Sequence, residues 1–457
     1  MPTDRPRPAA VYLASPSSSS SSKSSERRAA APPLQGDVAG RLADLYREMT
    51  GSDLPVGLHA WDGSHAGPGE LPVVMLDSPE ALRRLLWSPN ELGLAQAYVM
   101  GEIDVEGEVA EGLRRVWAAV SVPDGRSGRS AADLWRQWRQ KLLVYAKAVD
   151  MARQLGVLGL KPPAPMVQAR LRGRRHTRLR DRAAIAHHYD LSNDFYQLVL
   201  DPSMAYSCAY WTSDDPDYTL ADAQRDKLDL ICRKLELRPG MRLLDVGCGW
   251  GALLLHAAQH YGVTAVGVTL SQQQLYFINR RVTELGLGDR VTARLQHFRD
   301  ISEPCSYDAI ATIEMGEHVG AAAYPAFTAA LHDALEPGGR LLVQQMSRAA
   351  GGAPGGGPFV EAFIAPDMRM RPLARTVALW QSAGFEISGV EAMREHYVRT
   401  VHGWIENFES RWDEAVRMVG HETARVWRLY LAGGALAFEQ GRMGVDQILA
   451  VKPTRAA

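Results

Sequence analysis

The chain has 457 residues with 51 basic and 52 acidic side chains, and its formal net charge of −1 excludes a whole-protein field for nucleic acid, leaving any affinity for an anionic surface to a local patch. Its 46% hydrophobic content suffices for two adjoining cores, and no run approaches the roughly eighteen apolar residues that span a bilayer. The four cysteines, Cys208, Cys232, Cys248 and Cys305, are too few and too scattered for a disulfide framework or a zinc site, so no metal is expected and a cytoplasmic setting fits.

Residues 1–36 include "ASPSSSSSSKSSERRAAAPP", which lacks the apolar core of a secretory signal and reads as a disordered serine-rich tail. "VAGRLADLYREMTG" has helical periodicity and closes on Gly51. "PVVMLDSPEALRRLLWSPNELGLAQAYVMGEIDVEG" reads as a strand, a helix capped by Ser78 with Glu80 in its first turn, and a second helix closed by Gly101. With a helical stretch over 130–160 these form a small N-terminal α+β domain, 37–160, and "KPPAP" opens a basic linker, 161–182. From about residue 225 strands alternate with helices: "RLLDVG", "TAVGVTL", "VTARLQ", "YDAIATIE" and "RLLVQQMS" are separated by helices of ten to fifteen residues. That order predicts an α/β, Rossmann-like domain over 183–457, with a mostly parallel sheet covered on both faces.

In "LLDVGCGWG" the first of these strands turns sharply into a helix, and Gly247, Gly249 and Gly251 supply the conformational freedom. The spacing is not the G-x-G-x-x-G of dinucleotide folds, and the acid, Asp245, precedes the glycines, which favours a cationic, amino-bearing ligand over a diphosphate. The second strand ends in the neutral groups Thr269, Ser271 and Gln274, where a ribose-binding acid would stand in an NAD site. S-adenosylmethionine, with its ammonium and sulfonium groups, fits this pattern.

"LLDVGCGWG…GVTAVGVTLSQQQ" resembles the cyclopropane-fatty-acyl-phospholipid synthases and their mycolic-acid-modifying and actinobacterial fatty-acid methyltransferase relatives, as do "HHYDLSNDFYQLVLDPSMAYSCAYW", "IEMGEHVG", "HYVRTVHGW" and "FEQGRMGVDQI". The resemblance covers roughly 180–450 and implies a class I methyltransferase with a mostly parallel seven-stranded sheet. It implies that Tyr206 and Ser207 cap S-adenosylmethionine, that Gly247 and Gly249 approach its amino-acid end beside Asp245, and that Thr269, Leu270 and Gln274 sit by the ribose. His297 and Phe298 take the adenine side, where the family often carries an acidic or aromatic-acid pair.

The reaction implied is one-carbon transfer to the cis double bond of an unsaturated acyl chain in a phospholipid. The product is a cyclopropane or a methylene- or methyl-branched chain, the last requiring a reductase partner. An alkene is a weak nucleophile, so the chemistry needs alignment, a dry site and a base. The family resemblance implies bound bicarbonate as that base, with Cys208, Glu317, Met346 and Tyr397 at four of its five holding positions. Gln344 stands where the family usually has a histidine; its amide donates a hydrogen bond but relays no proton. Glu317 acting directly or through water is the alternative base. His187 and His188 receive no catalytic role.

"RLRGRRHTRLRDR" (170–182) holds seven arginines against Asp181, and suits a peripheral enzyme on the inner face of an anionic bilayer. The glycine-rich loop 349–372 with Phe359, Phe363 and Ile364 reads equally as a lid over an acyl tunnel or as a plain surface insertion. The N-terminal domain is open to a homodimer contact or to membrane docking. Competing readings are amine N-methylation on the same scaffold, RNA methylation, against which the lack of a recognised RNA-binding module counts, and cofactor binding without catalysis.

Overall fold

The computed structural model describes residues 37–120, 131–169, 177, 180–181 and 191–454. The serine-rich tail, His187, His188 and most of the arginine run lie outside them. Helix α1 (Val38–Thr50) starts where the Asp37 side chain accepts from the Gly40 N–H and ends on Gly51 at φ 75°. A four-stranded sheet follows, built from β1 (Gly57–Ala60), β2 (His65–Ala66), β3 (Val73–Leu76) and β4 (Ile103–Glu106) in the order β2-β1-β3-β4. Only β1 and β3 run parallel. Between β3 and β4 lie α2 (Glu80–Trp87) and α3 (Glu91–Val99). Pro79, not Ser78, is the residue flanking α2; the Ser78 hydroxyl still accepts the Glu80 N–H, two residues on. α4 (Val109–Val120) and α5 (Ala131–Gln154) complete this region.

After an irregular stretch come α6 (Asn193–Val199) and α7 (Leu220–Lys234), the latter opened by a reciprocal capping box between Thr219 and Asp222. The alternating series then runs β5 (Arg242–Val246), α8 (Ala252–Tyr261), β6 (Thr264–Thr269), α9 (Gln272–Glu284), β7 (Val291–Leu295), β8 (Tyr307–Ile313), α10 (Tyr324–Ala334) and β9 (Leu335–Ser347). α11 (Pro358–Phe363), α12 (Leu373–Ser382), β10 (Glu386–Ala392), α13 (Arg394–Ser410), α14 (Trp412–Glu439) and β11 (Gly444–Val451) close the fold. The seven-stranded sheet has the order β10-β11-β9-β8-β5-β6-β7, and β11 runs antiparallel to both its neighbours. The chain therefore builds β5-β6-β7 in one direction, returns to β8 on the other side of β5, and leaves a crevice at the carboxyl ends of β5 and β8. Open α/β sheets bind ligands at such a switch point.

The N-terminal sheet is not free of the large one. Arg425 of α14 donates to the Tyr98 and Ile103 carbonyls and to Asp104. Phe359, Phe363 and Ile364, read from sequence as a candidate lid, are buried in one cluster with Ala95, Val99 and Val426. Their apolar faces thus pin the 349–372 loop to α3 and α14. No described helix is long and apolar enough to cross a membrane.

Candidate active site

Every residue proposed for cofactor contact lines one cleft at the switch point: Tyr206, Ser207, Asp245, Gly247, Gly249, Thr269, Leu270, Gln274, His297 and Phe298. The cleft, together with the open solvent at its mouth, holds about 1260 Å³ of space. Its floor is the turn after β5, where Gly247, Gly249 and Gly251 take φ of 85°, 52° and 84°, backbone that side chains with a Cβ rarely adopt. The three differ in what surrounds them. A Cβ on Gly247 would press Met315 at 2.7 Å and one on Gly251 would meet Ile278 at 3.0 Å, whereas one on Gly249 would meet nothing within 4 Å.

Asp245, next to last in β5, is 3% exposed; its Oδ1 lacks a hydrogen-bond partner among the described residues, and burial pushes its carboxyl up to about 7 against the pull of the Lys227 charge. An orphaned carboxylate oxygen beside an unobstructed glycine suits an ammonium-bearing ligand, which would supply the missing partner. At the end of β6 the Thr269 hydroxyl donates to Gln274 Oε1 (2.6 Å) and the Ser271 hydroxyl caps α9 through the Gln274 N–H, holding neutral polar groups on the cleft wall. Across from them His297 packs against Phe298 with ring centroids 4.5 Å apart, and its Nε2 lies 3.5 Å from Asp181.

The other predicted residues meet deeper in. Cys208, Gln344 and Tyr397 converge on a carboxylate, but it belongs to Glu314 and not to Glu317. The Cys208 N–H (2.8 Å) and the Gln344 amide (2.9 Å) donate to Glu314 Oε1, and the Tyr397 hydroxyl (2.6 Å) donates to Oε2. Gln344 is oriented by Gln447, whose amide donates to Gln344 Oε1 (2.9 Å), so the Gln344 NH2 faces Glu314 and the Cys208 carbonyl (3.3 Å). Glu317, fully buried, accepts from the Met346 N–H instead, and its Oε2 has no hydrogen-bond partner among the described residues. Burial and the adjacent Glu314 charge push the Glu317 carboxyl up to about 8, so it is mostly neutral at physiological pH. The Cys208 thiol is buried and raised well above its ordinary range, first by burial and then by Glu314, so its backbone, not its sulfur, serves the site.

Reading the sequence missed Glu314, Lys227 and His318, all of which line the cleft. Glu314 was legible as the acid that follows a parallel strand, the counterpart of Asp245 one strand over. Lys227 was legible as a lone cation spaced with Ala223, Gln224, Leu228 and Ile231 on the buried face of α7. Its Nζ donates to the Ser207 hydroxyl (3.0 Å) at 2% exposure. Burial lowers the Lys227 pKa, opposed by the charges of Glu314, Asp201 and Asp245. His318, also enclosed, is lowered to about 4 by burial and is neutral. Of the arginine run, Arg180 is committed to a buried ion pair with Asp367 and is not available to a lipid surface.

A doubly wound seven-stranded sheet with one reversed strand, a glycine turn and an acid at the switch point defines a class I S-adenosylmethionine-dependent methyltransferase. Residues 176–448 match the family described as mycolic acid cyclopropane synthetase, and the chain belongs to that family. A probable fatty acid methyltransferase of Pseudomonas putida is 36% identical over 418 residues, covering 90% of this chain and 95% of the relative. The cyclopropane-fatty-acyl-phospholipid synthase of Escherichia coli K12 is 36% identical over 262 residues, 57% of this chain and 66% of that protein. Among solved structures, mycolic acid cyclopropane synthase CmaA1 complexed with SAH and CTAB shares 32% identity at a TM-score of 0.55, covering 59% of this chain and 98% of that one. The protein is an S-adenosylmethionine-dependent methyltransferase of this family.

A cofactor contact by Asp245 is expected to make binding pH-dependent. In the free protein its carboxyl is half neutral near pH 7, and a cationic ligand favours the ionised form. Affinity for S-adenosylmethionine is therefore expected to rise with pH up to about 7 and level off above it, with a proton released on binding at lower pH. Calorimetric titration below that value in two buffers of different ionisation enthalpy reads the proton directly; no release would remove Asp245 from the cofactor contact.

Proposed function

We propose that this enzyme adds a one-carbon unit from S-adenosylmethionine to the cis double bond of an unsaturated acyl chain in a membrane phospholipid. It releases S-adenosylhomocysteine and a cyclopropane or methylene-branched chain, which a reductase partner converts to a methyl branch. The observation that carries this reading is a half-buried carboxylate, that of Glu314, with three hydrogen-bond donors, set in a cleft suited to a cationic cofactor. Acyl-chain methylation needs that combination, because the electron-poor carbon formed on the substrate must be kept from water and then lose a proton. Amine methylation needs no such base.

In this reading S-adenosylmethionine supplies an electrophilic methyl group. Asp245 and the Gly247–Gly249 backbone hold its amino-acid end, Thr269, Leu270 and Gln274 the ribose, and His297 and Phe298 the adenine. Tyr206, whose hydroxyl donates to that of Tyr430 (3.1 Å), and Ser207, tied to Lys227, cap it. Tyr206 lines the cleft and is backed by the Trp404 and Trp427 rings, an aromatic support of the kind that suits a short-lived carbocation. The region 37–160 acts as a small N-terminal domain, the segment 161–182 as a basic linker to the catalytic domain at 183–457, and the protein works on the inner face of the membrane.

The deciding experiment is mass spectrometry of fatty acid esters, with ring and branch isomers resolved, after incubation with labelled S-adenosylmethionine and oleoyl-phospholipid vesicles. Each product is expected to gain one carbon and two hydrogens. No added carbon would favour the amine reading. Replacing Arg174, Arg175 and Arg178 together with alanine is expected to weaken sedimentation with anionic vesicles, more at low salt than at high; at about 1 kcal/mol per basic residue the loss is a few kcal/mol. Unchanged sedimentation would remove the linker from the docking surface.

A further inference from the structure

We propose that Glu314 is the enzyme's own catalytic base, a built-in carboxylate that makes a bound bicarbonate unnecessary. This rests on the acyl-chain reading above. The groups to which the family resemblance assigns bicarbonate are already engaged: the Cys208 N–H, the Tyr397 hydroxyl and the amide at position 344 all donate to Glu314. These three bonds leave a carboxylate with about four acceptor sites one site free on Oε2, and Glu314 lines the cleft in which cofactor and substrate meet.

The backbone carries the same message. Glu314 sits at φ 53°, left-handed backbone that glycine adopts without cost and a glutamate does not. A strained residue held at a strand end by three side-chain bonds marks a place where the side chain, not the backbone, is needed. Gln344 completes the logic. With its carbonyl held by Gln447 and both amide hydrogens directed at Glu314 and the Cys208 carbonyl, it positions the carboxylate and accepts no proton. Glu317, the other acid of "IEMGEH", is a neutral neighbour on the Met346 N–H.

The step balances without a further reactant. The methyl carbon leaves sulfur and bonds to one alkene carbon, taking the alkene electron pair, and the other alkene carbon becomes cationic. Glu314 then removes a proton from the added methyl group, and the freed C–H pair closes a bond to the cationic carbon, giving the ring. If a hydride first moves from the methylated carbon to the cationic one, the same proton loss gives an exocyclic methylene. In both cases the carboxylate becomes a carboxylic acid and passes its proton to water once product leaves.

The test uses the full chain in carbon-dioxide-depleted buffer with oleoyl-phospholipid vesicles. The parent rate is expected to be the same with and without added bicarbonate. Glu314→Gly is expected to lose about 10²- to 10⁴-fold in rate, the usual worth of a positioned base, and to regain much of it with bicarbonate, for which the missing side chain leaves donors and space. Glu314→Gln is expected to lose as much and regain nothing, because the amide fills the space and takes no proton. Titration with ¹³C-bicarbonate is expected to show a bound resonance in Glu314→Gly and none in the parent. A cooperative thermal melt checks that Glu314→Gly is folded before its rate is read.

Bicarbonate stimulation or binding in the parent, or a full rate for Glu314→Gly without bicarbonate, would overturn the proposal. A parent that adds no carbon to any acyl chain would instead overturn the function reading, and with it the reaction Glu314 is proposed to serve; the bicarbonate titration would still decide whether its carboxylate holds the anion place.

Discussion

Gly249→Val is expected to abolish S-adenosylmethionine binding while leaving a folded protein. Of the three glycines in the turn after β5, Gly249 alone has open space where a side chain would begin, and Gly249 lines the cleft. A valine there is expected to project into the volume the cofactor needs. Its own cost to the fold is the left-handed backbone at φ 52°, about 1–3 kcal/mol for a β-branched residue. Substitution at Gly247 or Gly251 drives a side chain into Met315 or Ile278 and mixes packing damage with any loss of binding. Calorimetric titration paired with a thermal melt separates the two effects. A variant that melts cooperatively and still binds the cofactor nearly as well as its parent would show that the ligand lies elsewhere in the cleft.

Lys227→Met is expected to destabilise the protein by on the order of 3 kcal/mol and to weaken cofactor binding at neutral pH. Lys227 is a buried cation whose charge acts on Asp201, Asp245 and Glu314, and it holds the Ser207 hydroxyl. Without it three enclosed carboxyl groups lose their common counter-charge. The effect on Asp245 has a definite sign. Its carboxyl already stands at about 7 with Lys227 pulling it down, so removal moves it higher, and a larger share is neutral at pH 7. The pH at which cofactor affinity levels off should therefore move upward. An unshifted binding profile, measured across the pH range in parent and variant, would mean that Lys227 is only a structural cation.

Much of this molecule was legible before any coordinates. The alternation of strand and helix from residue 225 onward, the Gly51 cap and the glycine turn after β5 follow from local periodicity and backbone freedom, which neighbours along the chain determine. So does the character of the cofactor site: Asp245 and Thr269 sit at strand ends and Gln274 in the first turn of the helix that follows, and in a parallel sheet strand ends share one edge.

The contacts across the sheet were a different matter. Glu314 and Glu317 are three residues apart in one motif, and nothing in their spacing says which carboxylate meets Cys208, 106 positions earlier, and Tyr397, 83 positions later. That is settled by the turn after β8, whose left-handed residue aims one acid at those donors and leaves the other on the Met346 backbone. The loop at 349–372 is a second instance. Its apolar residues were visible, but their burial against α3 and α14 depends on surfaces more than two hundred and sixty residues upstream and about sixty downstream. Sequence determined the kind of fold and the kind of cofactor, because both rest on local backbone geometry; only the packed structure decided which of two acids stands ready to take the proton, because that depends on long-range hydrogen bonds.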